Sequence, residues 1–179
     1  AHALAADGQW EAALGWFDLA DVNVALRISS DIPASRGLGS SAATGAAVVA
    51  AIADLAGREL TSGERHDLIQ TSERVAHGAP SGIDAHGVVS TSPLWFHGGT
   101  VEALPTGAEL TFVLADTGVA GSTRTAVDAV RRVRDTEPDR FAGILARLTA
   151  IAHAARTALA TGDRATVGSL MDESHLHLA

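Results

Sequence analysis

The chain has 179 residues, 46% of them hydrophobic and 19% charged, a balance that suits one packed domain or one domain plus part of another. It holds no cysteine, which excludes a disulfide framework and a thiolate metal centre, and no apolar run reaches the roughly 20 residues needed to span a bilayer. The formal charge of -8 repels nucleic-acid phosphates, and the 13 basic residues, all Arg, form no stripe interleaved with aromatics.

The start at Ala1 lacks a basic flank followed by an apolar stretch, so no signal peptide is expected and the expected compartment is the cytoplasm. Residues 1–17 read as a helix. Val22, Val24, Leu26 and Ile28 alternate with Asn23, Ala25 and Arg27, which predicts a half-buried strand. A loop follows to Gly39, broken by Pro33, Gly37 and Gly39. Residues 40–56 are small and apolar and predict a well-packed helix ended by Gly57. Thr61 and Glu64 have capping-box spacing for a helix that runs to about His77, with Leu68, Ile69, Val75 and Ala76 on its apolar face. Gly78 and Pro80 stop it.

Val88-Val89 and Leu94-Trp95-Phe96 predict two short strands around a turn at Pro93, and Leu110, Phe112 and Leu114 predict a third. Helices are expected at 122–135 and 138–160, with Pro138 at a first helical position and Gly162 as C-terminal cap. Asp163 is placed to cap a last helix that meets the end of the chain without a terminator, so the chain reads as cut. Strands mix with helices in no strict βαβ rhythm, which predicts an α+β fold.

Three segments carry chemistry. The first is the string from Pro33 to Ala43, between a predicted strand and a predicted helix. Gly37 and Gly39 let backbone amides approach an anion, and the unpaired amides of a helix start favour phosphate there. Ser40 is the expected N-cap, and the Ser40 and Ser41 hydroxyls suit phosphate or Mg²⁺. The loop is neither a Walker A loop nor a dinucleotide fingerprint; a lone G-x-G would read better as an ordinary turn with a Ser cap, and it is the eleven-residue string that favours phosphate. The second segment places Glu73 near a helix end and Asp84 on the turn beyond it. One carboxylate can hold Mg²⁺ while the other deprotonates an attacking hydroxyl. Singly, Glu73 reads better as a solvated helix residue, Asp84 as a cap of the next segment and His77 as a C-terminal cap. The third runs from Ala115 to Arg124, with glycines and hydroxyls at a helix start that suit an anion or a hydroxyl, though alone it reads better as a capped helix after a turn.

The first string resembles the second motif of the GHMP kinases, the superfamily of galactokinase, homoserine kinase, mevalonate kinase and phosphomevalonate kinase. The resemblance implies that Ser35, Arg36, Gly37, Leu38, Gly39, Ser40 and Ser41 bind ATP, that Ser41 also binds Mg²⁺, and that Ser30 is a further ATP contact. His77 to Asp84 is similar to the H-G-x-P-S-G-[IV]-D signature of the mevalonate kinases within that superfamily. By that resemblance Asp84 is the catalytic base acting on the C5 hydroxyl of mevalonate, Glu73 is a Mg²⁺ ligand and Ser81 lies in the substrate pocket. The third segment resembles the family's D-T-G-x-x-G-x-T-[KR], which places Thr123 near substrate. Met171 to His175 resembles its M-[ND]-E-x-H helix, a structural support.

The implied fold is an incomplete GHMP kinase fold, with a ribosomal protein S5 domain 2-like N-terminal part and a ferredoxin-like C-terminal part. Residues 1–100 would belong to the ATP-binding domain and 101–179 to the C-terminal domain. The implied activity is ATP-dependent phosphorylation of mevalonate to 5-phosphomevalonate, a step of isoprenoid precursor synthesis. Mevalonate is then the small-molecule partner, nucleic acid and membrane are not partners, and a homodimer is left open. The alternatives are another GHMP small-molecule kinase, acting on phosphomevalonate or homoserine, and a nucleotide-binding module without catalysis. The family's N-terminal Lys-containing motif and C-terminal glycine-rich motif are not in this sequence, so the 179 residues alone are expected to have little or no kinase activity.

Overall fold

Helices carry most of the chain in the computed structural model, which describes residues 10–77, 80–116, 118, 119, 121 and 123–178. The chain divides into two units, one of Ala1–Thr91 with Gly118–Gly121, the other of Ser92–Thr117 with Ser122–Ala179. No helix among the described residues is long and apolar enough to cross a membrane.

The first unit holds α1 (Glu11–Trp16), α2 (Ser40–Leu55), α3 (Ser62–His77) and α4 (Ile83–Gly87). The small apolar residues of α2 favour helix and leave room for close neighbours. A Cβ on Gly45 would lie only 3.3 Å from the Ser72 hydroxyl of α3, so a glycine there lets the two helices approach. Val48, Val49, Ile52 and Ala53 of α2 pack with Leu68 and Ile69 of α3, Ala13 of α1 and Ala85 of α4 in one core. Gly57, at φ 62, closes α2 in the left-handed conformation that L-residues avoid. The start of α3 is a complete capping box: the Thr61 N–H donates to Glu64 Oε2 at 2.9 Å, and the Glu64 N–H donates to Thr61 Oγ1 at 3.2 Å. These hydrogen bonds hold the Glu64 carboxyl below its ordinary range, the Thr61 backbone contributing most and the Thr61 hydroxyl next.

The second unit holds the hairpin β1 (Leu94–His97) and β2 (Thr100–Ala103) and the helices α5 (Thr123–Thr136), α6 (Pro138–Thr161) and α7 (Arg164–Leu178). Pro138 opens α6, and Gly162 at φ 75 ends it. Asp163 caps α7, its carboxylate accepting from the Thr166 N–H at 3.0 Å. Arg147 of α6 pairs with Glu173 of α7. Gly107 presses on the end of α6: its N–H donates to the Leu159 carbonyl at 2.8 Å, and a Cβ there would meet the Ala160 carbonyl oxygen at 2.5 Å.

Three strand expectations are corrected. Residues 22–28 and 110–114 form no strand, and the two-stranded hairpin is the sheet found among the described residues. Period-two apolarity specifies a face, but a strand is completed by a neighbouring ladder, which these segments lack here. Val88 and Val89 instead follow α4 as a half-buried turn, the Val88 N–H donating to the Asp84 carbonyl at 3.0 Å. A short apolar run signals burial without fixing the backbone. The true partner of β1 is β2, joined through Gly98 and Gly99 at φ 56 and 82, the two positive φ values of a tight primed hairpin turn. The expected helix at 1–17 is seen as α1, and residues 1–9 lie outside the described residues.

Candidate functional site

The loop into α2 turns through three left-handed residues at alternate positions, Ser35 at φ 59, Gly37 at φ 70 and Gly39 at φ 68. Alternating backbone handedness of this kind makes anion-binding concavities of N–H groups. Gly37 and Gly39 adopt it without penalty, whereas for Ser35 the left-handed conformation costs about 1 kcal/mol or more. The N-cap of α2 is Gly39, not Ser40 as expected, and no side chain caps the helix. Only a glycine takes φ 68 there cheaply, which shifts the helix start one residue earlier than the hydroxyl pattern suggests. The first amides of this 16-residue helix therefore carry the positive end of its dipole without a side-chain oxygen on them.

Ser40 and Ser41 form the first turn of α2. The Ser40 carbonyl accepts from Thr44 Oγ1 at 2.8 Å. Ser41 Oγ donates to Glu73 Oε1 at 2.6 Å, across 32 residues of sequence. Glu73 is 3% exposed, so its reading as a solvated helix residue is overturned. A carboxylate this buried has to be compensated by hydrogen bonds or a cation. Ser30, exposed, accepts from the Ile32 N–H at 3.1 Å, and Leu38 is exposed.

The third segment meets the loop within the same unit. The Gly121 N–H donates to the Ser35 carbonyl at 3.0 Å, and Arg36 Nη2 donates to the Gly118 carbonyl at 3.3 Å. The side chain of Thr123 lies outside the described residues, as does that of His77.

Asp84 is exposed and sits in the first turn of α4, after Gly82 at φ 91. Ser81, also exposed, accepts from the Ile83 N–H at 3.4 Å. One helical turn past Asp84, the Val88 side chain lies 3.9 Å from where a Cβ on Gly39 would be. The C-terminal end of α4, one helical turn past Asp84, is thus packed beside Gly39 at the start of α2. Sequence reasoning missed three residues around it. Gln70 Nε2 donates to the Pro80 carbonyl at 3.1 Å, and the imidazoles of His66 and His86 stack with centroids 3.8 Å apart. The helical spacing of 66, 70 and 73 was the available signal for His66 and Gln70, and no spacing pointed to His86.

Residues 6–90 match the family model for the GHMP kinases N terminal domain. The chain carries a GHMP kinase N-terminal domain. Over 157 residues it is 36% identical to a mevalonate kinase of Thermococcus sibiricus, covering 85% of this chain and 47% of that protein. It is 36% identical over 136 residues to a mevalonate kinase of Thermococcus gammatolerans, covering 76% of this chain and 40% of that protein. A mouse mevalonate kinase is 34% identical over 141 residues, covering 68% of this chain and 35% of that protein. The chain spans less than half the length of these curated relatives. The phosphate-type loop, Glu73 and Asp84 all fall inside the matched GHMP domain, and Thr123 falls outside it.

Proposed function

We propose that the protein containing this chain transfers the γ-phosphoryl group of ATP to the C5 hydroxyl of mevalonate. The observation that carries this reading is the Ser41–Glu73 hydrogen bond at the mouth of α2, with Glu73 buried and the end of α4, one turn past Asp84, packed beside Gly39. The loop from Ser35 to Ser41, with Ser30, binds the nucleotide, its amides and the α2 dipole facing the phosphates. Ser41 and Glu73 offer the hydroxyl and carboxylate oxygens that Mg²⁺ prefers, and buried Glu73 benefits from a cation. When bound, the ion supplies charge neutralisation at the phosphate oxygens.

Asp84 accepts the proton of the mevalonate hydroxyl as its oxygen bonds to the γ-phosphorus and ADP leaves. Exposure of Asp84 gives an incoming alcohol access to it. Ser81 and Thr123 are the residues that the family motifs assign to the substrate. We assign residues 1–100 to the ATP-binding domain and 101–179 to the C-terminal domain of an S5 domain 2-like plus ferredoxin-like GHMP fold. The test is transfer from labelled ATP by the full-length protein to mevalonate, phosphomevalonate and homoserine, offered separately. Label on the C5 oxygen of mevalonate is expected. Preference for either other acceptor, or no transfer at all, overturns the assignment.

A further inference from the structure

We propose that His66 and Gln70 are positioning residues for Asp84, clasping the segment that bears it from one face of α3. This rests on the role assigned to Asp84 above. The argument begins with α4, which has five residues. A helix so short has no stability of its own in water, so tertiary contacts must hold it. Asp84 is exposed, and the Gly82 before it is left-handed, a residue type that loosens the chain.

Two contacts from α3 supply the hold. The His66 and His86 rings lie 3.8 Å apart at an interplanar angle of 20°, which ties the residue two positions after Asp84. His66 is itself oriented by Nδ1 against Asp67 Oδ1 at 3.1 Å. Gln70 Nε2 donates to the Pro80 carbonyl at 3.1 Å, and a Cβ on Gly82 would touch the same amide at 3.7 Å, which ties the turn just before Asp84. Asp84 is thus bracketed on both sides. Positions 66, 70 and 73 follow at i, i+4 and i+7, one helical stripe. The stripe that buries Glu73 against Ser41 therefore also fixes the base, and α3 sets the spacing between the two.

The experiment uses the full-length protein with His66→Ala, Gln70→Glu and His66→Phe. Two readouts are taken: hydrogen exchange of the backbone amides of residues 83–88, and steady-state kinetics. His66→Ala and Gln70→Glu are expected to speed exchange at 83–88 at least about tenfold while α2 stays protected, and to lower kcat about 10- to 100-fold with KM for ATP little changed. His66→Phe, which keeps an aromatic face against His86, is expected to recover both. Wild-type exchange at 83–88 in both disruptive variants overturns the clasp, whatever the kinase assay gives. Faster exchange with unchanged kcat overturns the positioning role. If the wild type leaves mevalonate unphosphorylated, the functional reading fails while exchange still decides the clasp. Should His66→Ala not fold, Gln70→Glu carries the same comparison.

Discussion

Ser41 Oγ lies 2.6 Å from Glu73 Oε1 and joins the first turn of α2 to α3 through a carboxylate that is 3% exposed. Enclosing a carboxylate costs desolvation that hydrogen bonds or a cation must offset, and a neutral amide of the same shape avoids that cost. Glu73→Gln in the full-length protein should preserve folding and raise the Mg²⁺ concentration needed for half-maximal turnover. It should also lower kcat by about 10²-fold, the scale for losing one electrostatic stabiliser of a transition state. A Mg²⁺ titration at saturating ATP checks this, and an unchanged midpoint removes Glu73 from the metal.

Asp84→Asn keeps the size of the side chain and removes its basicity. Because Asp84 is exposed and its helix is held through His86 and the Pro80 turn, the substitution should leave the fold intact. Turnover should fall about 10²- to 10⁴-fold, the range for a general base, while nucleotide binding persists. Equilibrium binding of a fluorescent ATP analogue, set beside kcat, separates the two effects.

Gly45 and Ser72 set how closely α2 and α3 pack. A Leu at 45 would drive its side chain into the Ser72 hydroxyl and the Ile69 methyl, which already lie within 4 Å of a bare Cβ. Gly45→Leu should cost about 1–3 kcal/mol, the usual penalty of overpacking. Because Ser41 and Glu73 span the same two helices, it should also weaken nucleotide binding. Denaturant melts and ATP affinity of the full-length variant test both, and a wild-type melt would refute the close approach.

What could be read from the sequence was what neighbours along the chain decide. The Thr61–Glu64 box, Pro138 at the start of α6, Gly162 at its end and Asp163 before α7 are local chemistry, and each stands where its residue type requires. Residues 22–28 and 110–114 show the limit, since alternation names a face but a ladder partner is remote in sequence. Val88-Val89 drew the strand away from the Gly98-Gly99 turn, although that pair was the better hairpin signal. In the site, the loop and the two acidic residues were legible as motifs. The burial of Glu73 was not, because it follows from the α2–α3 approach that Gly45 permits. The His66–His86 stack joins residues 20 apart and leaves no mark on spacing.

That stack also makes stability depend on pH with a definite sign. Burial, and then the adjacent His66 charge, lower the pKa of His86 from its ordinary 6.5, while Asp67 opposes them. Of the elements packed on α4, α3 contributes His66 and Asp67 at this point, α2 carries no charged residue before Asp54, and α4 itself carries Asp84. A depressed folded-state pKa means the unfolded chain binds the proton more readily. The contribution is fully present above pH 6.5 and is lost progressively as pH falls through the lower folded-state value. Protonating both rings would also set two cations face to face. His86→Phe keeps an aromatic partner for His66 but takes no proton. Full-length wild type and His86→Phe should therefore differ by a constant amount above neutrality, and the wild type should lose stability more steeply below it. Denaturant midpoints measured for both from pH 8 to pH 5 decide it, since titrating groups away from the stack cancel in the difference and what remains belongs to His86 and its coupling to His66 and Asp67; parallel curves would show that His86 does not titrate with folding.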